Sequence, residues 1–162
     1  MLTQDRLKEV LHYDPETGIW TWLVRRGPVK PGDRAGNQKA NGYREVCIDS
    51  YPYYEQRLAF LYMTGMFPVG IADHKDRARS NNRWSNLRDS TQKQNSANMA
   101  TRPSNKIGLK GVSLHRGTGK YVAFIANDRR SRYLGLFDCP AAAHFAYLIE
   151  ADKCFGEFAR AA

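Results

Sequence analysis

In TQDRLKEVLH, apolar Leu7, Val10 and Leu11 recur at helical spacing among charged neighbours. This predicts a short amphipathic helix capped by Thr3. DPETG then puts proline and glycine in turn positions. IWTWLV reads as a strand of β-branched and aromatic residues. A Gly/Pro-rich loop, RRGPVKPGDRAGNQKANG, separates it from a second strand, YREVCI. In EQRLAFLYMTG, Leu58, Leu61 and Tyr62 return to helical spacing, with Gly65 as the stop.

The period then shortens. FPVGIADH alternates Phe67, Val69 and Ile71 on one face, so it reads as a short strand ending at Asp73-His74. KDRARSNNRWS is a polar loop, and NLRDS is a second short strand. TQKQNSANM opens a helix with a capping box of Thr91 and Gln94. After RPSNKIG come three strand-like runs, GVSLHR, YVAFIA and RYLGLF, with breaks at Gly117-Thr118-Gly119 and Asn127-Asp128. CPAAAHFAYLIEADKCFG is a helix with Pro140 in its first turn and Gly156 as its stop. Ala142, Phe145, Leu148 and Ile149 are expected to cover the sheet. The class is α+β, in four parts. An N-terminal α+β region spans 1–66, a strand–loop–strand–helix core 67–100, a linker 101–109, and a three-stranded antiparallel sheet plus helix 110–162.

Hydrophobic residues make up 42% of the 162, enough for a core. No apolar run approaches the ~18 residues of a membrane span. MLTQDRLKEVLHYD lacks the apolar centre of a signal peptide, so a cytoplasmic location is expected. Cys47, Cys139 and Cys154 are widely spaced without a C-x-x-C. They support neither a disulfide framework nor a zinc site and are expected to be small core residues. The net charge of +9 favours a polyanionic partner, nucleic acid first. From Arg102 to Arg132 the only acid among eight basic residues is Asp128.

The Asp-His pair gives this charge a chemical use. Consecutive strand residues point to opposite sides, and in-line hydrolysis of a phosphodiester has jobs on opposite sides of phosphorus. Neutral imidazole suits deprotonation of the attacking water, which makes His74 the candidate base. Asp73 suits a divalent cation beside the leaving oxygen. Asn95 lies one turn inside the helix opened by Thr91, and its amide can reach back toward the hairpin. A carboxylate and an amide oxygen suit Mg²⁺, with Mn²⁺ as the alternative, rather than zinc. Asn86 begins the second strand and can bond across the hairpin to orient the loop holding His74.

These positions, with RLAFLYMTGMFP, DHKDRARSNNRWSNLR and T-x-x-Q-N, resemble the HNH (ββα-metal) nucleases, in the H-N-N form of phage homing endonucleases. The resemblance covers roughly residues 43–99. It implies His74 as general base, Asp73 and Asn95 as metal ligands, and Asn86 as the central structural asparagine. Many relatives carry histidine before the arginine of the R-L-A helix, where this chain has Gln56 before Arg57; no role is carried over there.

GLKGVSLHR, GKYVAFIAN and YLGLFDCPAAAHFAY resemble the AP2/ERF-type DNA-binding domain, also found appended to phage HNH nucleases. That likeness implies a three-stranded sheet in the major groove, backed by a helix. Where plant members read bases with arginine and glutamate, this chain has Ser113, His115, Phe124 and Ala126, and Tyr133 stands in place of tryptophan. Lys110, Arg116, Lys120, Arg129, Arg130 and Arg132 would grip phosphates. Val122 and Phe124 either touch thymine methyls or pack against the nuclease module. Near the hairpin, Arg57, Arg77, Arg79, Arg83 and Arg88 are candidate backbone contacts. Trp20, Trp22 and Trp84 are expected in the core.

The expectation is a homing-type, metal-dependent endonuclease on double-stranded DNA, leaving 5′-phosphate and 3′-hydroxyl ends. A monomer would nick, and a homodimer could cut both strands. One rival is a non-catalytic DNA-binding regulator with the same folds. An RNA-binding protein fits the charge but gains nothing from the AP2-like tail.

Overall fold

Helix α1 (Gln4–Val10) begins where Thr3 caps it, the threonine side chain accepting from the Arg6 N–H. Leu7 and Val10 are buried beneath it, and the next residue, Leu11, already starts strand β1 (Leu11–Asp14). β1 pairs antiparallel with β2 (Ile19–Trp22) across the DPETG turn. This computed structural model describes residues 2–127 and 130–159, with only the backbone of Asn127 and Arg130. The chain divides into two units, Met1–Ser90 and Thr91–Ala162.

In the first unit a three-stranded sheet has the order β3 (Asn37–Gln38), β4 (Arg44–Ile48), β5 (Tyr51–Tyr54). The sequence reading missed β5. The β4–β5 hairpin turns on Asp49 and Ser50, with φ of 48° and 70°. Two consecutive left-handed residues are what a tight two-residue hairpin needs, but Asp-Ser lacks the glycine that usually marks it. Helix α2 (Glu55–Thr64) follows β5 directly and ends at Gly65 in the left-handed conformation. Leu58, Ala59 and Leu61 of α2 join Leu7, Leu11, Trp20, Val46 and Ile48 in one core. Tyr13 and Trp20 stack there with ring centroids 4.6 Å apart. Trp22 is also buried, and Trp84 packs edge-on against Phe60, so all three tryptophans belong to this packing.

The site-bearing hairpin pairs β6 (Ile71–His74) with β7 (Leu87–Ser90). It is shorter than the sequence pattern suggested. Phe67 leaves the alternation to stack on Tyr53, and Val69 is fully in solvent. The Val69 and Gly70 N–H groups are taken by the Asp89 carboxylate instead of a ladder. Asn86 ends a 3-10 turn, Trp84–Asn86, rather than starting β7.

The second unit opens with helix α3 (Gln92–Asn98), whose Thr91–Gln94 capping box is present. Strands β8 (Val112–His115), β9 (Lys120–Asn127) and β10 (Arg130–Phe137) form an antiparallel sheet of order β10-β9-β8. Asp128 of the expected Asn127-Asp128 break lies outside the described residues. Helix α4 (Pro140–Phe155) starts at a Cys139 cap and ends at Gly156. Its covering face differs from the expectation. Ala143, Tyr147, Ala151 and Phe155 are buried, whereas Phe145 and Ile149 are exposed. Tyr147 fits because Gly111 has no side chain: a Cβ there would run into the tyrosine ring. Nor are the cysteines core residues. Cys47 and Cys139 are exposed and Cys154 half-buried, Cys47 because it alternates with buried Val46 and Ile48 on β4. No described helix is long and apolar enough to cross a membrane.

The DPETG turn is latched to the loop before β7. The Tyr13 hydroxyl donates to the Asn82 carbonyl at 2.6 Å, and Trp84 N–H donates to the Pro15 carbonyl at 2.9 Å. Gly18 (φ 73°) lies against that loop, and a Cβ there would enter the backbone of Asn82 and Arg83. Gly18→Ala combines a left-handed backbone with a backbone collision. It is expected to lower the unfolding free energy by at least ~2 kcal/mol in urea titration. A change within ~0.5 kcal/mol would mean the latch is not rigid.

Candidate active site

Asp73 and His74 are the last two residues of β6, and the pleat sends their side chains to opposite faces. Each meets its own buried polar partner. Asp73 stands directly across the ladder from Arg88, whose Nε donates to Asp73 Oδ2 at 3.0 Å. Directly opposed strand residues share a face, so register alone brings this ion pair together. His74 Nε2 lies 2.9 Å from Asn82 Oδ1. Asp73 is 6% exposed and His74 4%.

Behind Asn82 the polar contacts continue inward. Asn82 Nδ2 donates to Glu55 Oε2 at 2.8 Å, and Arg44 Nε donates to Glu55 Oε1 at 3.0 Å. Arg44 Nη2 donates onward to the Gly36 carbonyl at 2.8 Å. Gly36 (φ 77°) has no room for a Cβ, which would meet the Glu55 carboxylate and Val46. Glu55 and Asn82 are each 1% exposed. Burial pushes the Glu55 carboxyl up, with Arg44 and the Asn82 amide acting against it. Burial likewise lowers the His74 imidazole, opposed by Asn82 and by the charges of Asp76 and Asp73. The ring is therefore neutral near pH 7, the form that can accept a proton.

Asn86 ties the loop between the strands. Its Oδ1 accepts from the Asp76 N–H at 3.1 Å, and its Nδ2 donates to Asp76 Oδ1 at 2.9 Å and to the Asn81 carbonyl at 2.8 Å. Burial raises the Asp76 carboxyl, but hydrogen bonds from Asn81, Ala78 N–H and Asn86 outweigh it and hold the group below its ordinary value. Asn95 sits half-buried on α3, in the second unit.

Of the basic residues singled out near the hairpin, Arg57, Arg77, Arg79 and Arg83 are exposed. Arg57 lies over the Phe67 ring, and Arg79 lies over Tyr43 while donating to the Asn41 carbonyl at 2.7 Å. Arg88 is buried with Asp73, so its charge faces inward. In the second unit, His115, Arg116, Lys120, Arg132 and Tyr133 are exposed. Lys110 donates to the carbonyls of Ala97 and Met99, Lys120 pairs with Asp138 at 2.8 Å, and Arg132 pairs with Glu150. His115 Nδ1 lies 2.9 Å from the Thr118 hydroxyl. Arg129 and the Arg130 side chain lie outside the described residues.

Sequence reasoning missed Asn82, Glu55 and Arg44. Asn82 looks like its neighbour Asn81 in a polar loop, and Glu55 looks like an ordinary solvated acid in a helix's first turn. Only the packing distinguishes them.

Among the described residues no three His, Cys, Asp or Glu side chains cluster as a metal site. A single buried carboxylate such as Asp73 would need amide and water oxygens beside it to hold an ion. Carboxylate and amide oxygens are hard donors, the chemistry that suits a divalent cation of the Mg²⁺ kind.

Residues 53–97 match the family model of the HNH endonucleases. The matched stretch runs from β5 to α3 and includes Glu55, Asp73, His74, Asn82, Asn86 and Asn95. It places an HNH endonuclease domain in this part of the chain and supports a nuclease role in general. No curated protein and no solved structure matches the chain.

The burial of His74 has a consequence for stability. The unfolded chain takes up a proton on this histidine below pH ~6.5, and the folded chain resists it. Its contribution is thus fully present above that pH and is lost as pH falls. Urea unfolding is expected to show stability dropping from pH 7 to pH 5, with His74→Gln lacking that part of the drop. Equal slopes in both proteins would remove His74 as the cause.

Proposed function

We propose that this protein is a metal-dependent endonuclease that hydrolyses phosphodiester bonds in double-stranded DNA. What carries the reading is one arrangement. Within the stretch that matches the HNH endonucleases, Asp73 and His74 project to opposite faces of β6, each held by its own buried hydrogen bond. A neutral, oriented imidazole beside a buried carboxylate is the pairing that water activation needs.

In this mechanism His74 accepts a proton from water as the water oxygen attacks phosphorus. The P–O3′ bond breaks, and the leaving O3′ takes a proton from solvent water, so the ends are 5′-phosphate and 3′-hydroxyl. Asp73, with Asn95, would hold Mg²⁺ or Mn²⁺. When bound, the ion stabilises negative charge at the leaving oxygen. Asn95 enters through the family match, which runs to residue 97, and through its place one turn inside α3. Asn86 keeps the loop after His74 in one shape through Asp76. The exposed arginines Arg57, Arg77, Arg79 and Arg83 supply backbone contacts.

The sheet β8–β10 is the second part of the proposal, a DNA-contacting tail of the AP2-like kind on a homing-type enzyme. Its support is the exposed face carrying Ser113, Phe124 and Tyr133, with exposed Arg116 in the turn that follows β8. A homodimer would be needed to cut both strands at once.

One observation favours a second reading, a DNA-binding regulator without activity. Asp73 is already neutralised by Arg88 in a buried pair, which is how a purely structural carboxylate would look. Supercoiled plasmid separates the two. Relaxation of the plasmid is expected with Mg²⁺, none with EDTA, and a loss of about 10²-fold or more in rate for His74→Ala. Asp73→Ala should lose rate together with its response to Mg²⁺. Tight DNA binding without cutting by the wild type would favour the regulator.

The tail makes its own prediction. Arg116→Ala with Tyr133→Ala should weaken binding to unrelated duplexes alike. The slope of log affinity against log salt should fall by about one for the charge removed. Unchanged affinity and slope would take β8–β10 out of the interface.

A further inference from the structure

We propose that Asn82, held by Glu55 and Arg44, is a positioning residue that decides which ring nitrogen of His74 is the base. The inference rests on the nuclease reading of His74, and it follows from donor and acceptor chemistry taken one link at a time. Arg44 can only donate, so the Glu55 oxygen 3.0 Å from its Nε must accept. Paired with the Arg44 guanidinium at one oxygen, the Glu55 carboxylate accepts at the other as well, so the Asn82 atom 2.8 Å from it is the amide nitrogen. The Asn82 oxygen is thereby turned toward His74, where it can only accept. His74 Nε2, 2.9 Å away, must carry the proton. In the neutral ring the lone pair is then on Nδ1, and Nδ1 is the atom that takes the proton from water.

The relay is built to resist reorientation. The Asn82 carbonyl holds the Tyr13 hydroxyl at 2.6 Å, so the residue is fixed at its backbone as well as its side chain. Glu55 is fixed by Arg44, and Arg44 by the carbonyls of Ala35 and Gly36. Asn82 and Glu55 touch no reacting atom in this scheme. They act through His74, by the orientation and tautomer they impose.

Glu55→Gln tests the relay because it reverses polarity without changing shape. The introduced glutamine must turn its oxygen to Arg44 and its NH₂ to Asn82. The Asn82 amide then flips, presents its own NH₂ to His74, and drives the proton to Nδ1. A residue that merely fills space would not move the proton. The double variant Asn82→Asp with Glu55→Gln restores the original polarity. The introduced aspartate would accept from His74 Nε2–H with one oxygen and from the glutamine NH₂ with the other, while the glutamine oxygen accepts from Arg44.

The experiment is nitrogen-15 NMR of the His74 ring in the full chain, at a pH where the ring is neutral, with His74→Gln to assign the signal. Plasmid cleavage at saturating Mg²⁺ runs in parallel. Wild type should be protonated at Nε2. Glu55→Gln should be protonated at Nδ1, with kcat down by about 10²-fold and KM within about twofold. The double variant should return to Nε2–H and regain cleavage. The idea is overturned by an Nδ1–H ring in wild type, or by an unmoved proton in a folded Glu55→Gln. If that variant does not fold, the wild-type and double-variant rings decide, and an Nδ1–H ring in either overturns it. Tautomers as stated in a wild type that cuts no DNA would sink the nuclease reading while leaving the relay standing.

Discussion

A buried polar group left without a partner costs about 1–3 kcal/mol, and a buried charge costs more. The first unit places Glu55, Asn82, Asp73 and His74 all in its interior, so each must be answered from within the protein. The answer at Asn82 is the one on which the most structure converges. Its amide spans His74 and Glu55, and its carbonyl holds Tyr13. Glu55 is brought there by the direct passage from β5 into α2, with no loop between them. Arg44 arrives from the neighbouring strand β4, and Gly36 makes room for the pair by having no side chain. Strand, helix, turn and loop are therefore fastened to one another through the groups that orient the imidazole. The packing of the fold and the geometry of the site are one set of contacts.

The two faces of β6 are treated differently. On one, Asp73 is balanced by a guanidinium directly across the ladder. On the other, His74 meets an uncharged amide, and burial keeps its ring neutral. The strand thus carries a charged and a neutral polar group back to back. The same contacts make sense as interior ion pairing and hydrogen bonding, which is why activity has to be read from cleavage and not from burial.

The second unit distributes its charge in another way. Lys110 caps carbonyls at the end of α3, Lys120 answers Asp138, and Arg132 answers Glu150. Exposed ion pairs of this kind are worth little, about 0–1 kcal/mol. An anion can therefore compete with Asp138 for Lys120, whereas Arg132 is held by the largely buried Glu150. Phe124 and Tyr133 sit opposite one another on β9 and β10, on the face away from Ala123 and Ile125. This gives the outer face of the sheet an aromatic pair, with Lys120 on the same face at the start of β9.

Much of this was written in local order. The Thr3 cap, the Gly65 stop, the Thr91–Gln94 capping box and the three strands after residue 110 follow from residues within a few positions of one another. Local chemistry decides caps and turns regardless of what the rest of the chain does. Asp73 and His74 were legible for the same reason, since a strand's pleat puts adjacent side chains on opposite faces. What depended on distant partners was not legible. No local rule separates Asn82 from Asn81, or marks Glu55 as an interior acid, because their partners lie 27 and 11 residues away along the chain. The face that α4 turns to its sheet was misplaced because Gly111, far upstream, admits Tyr147. Sequence alone determined which residue types stood ready for chemistry. Tertiary packing decided which of them are held, and in what orientation, because a hydrogen bond in a dry interior depends on atoms that only the fold brings within about 3 Å.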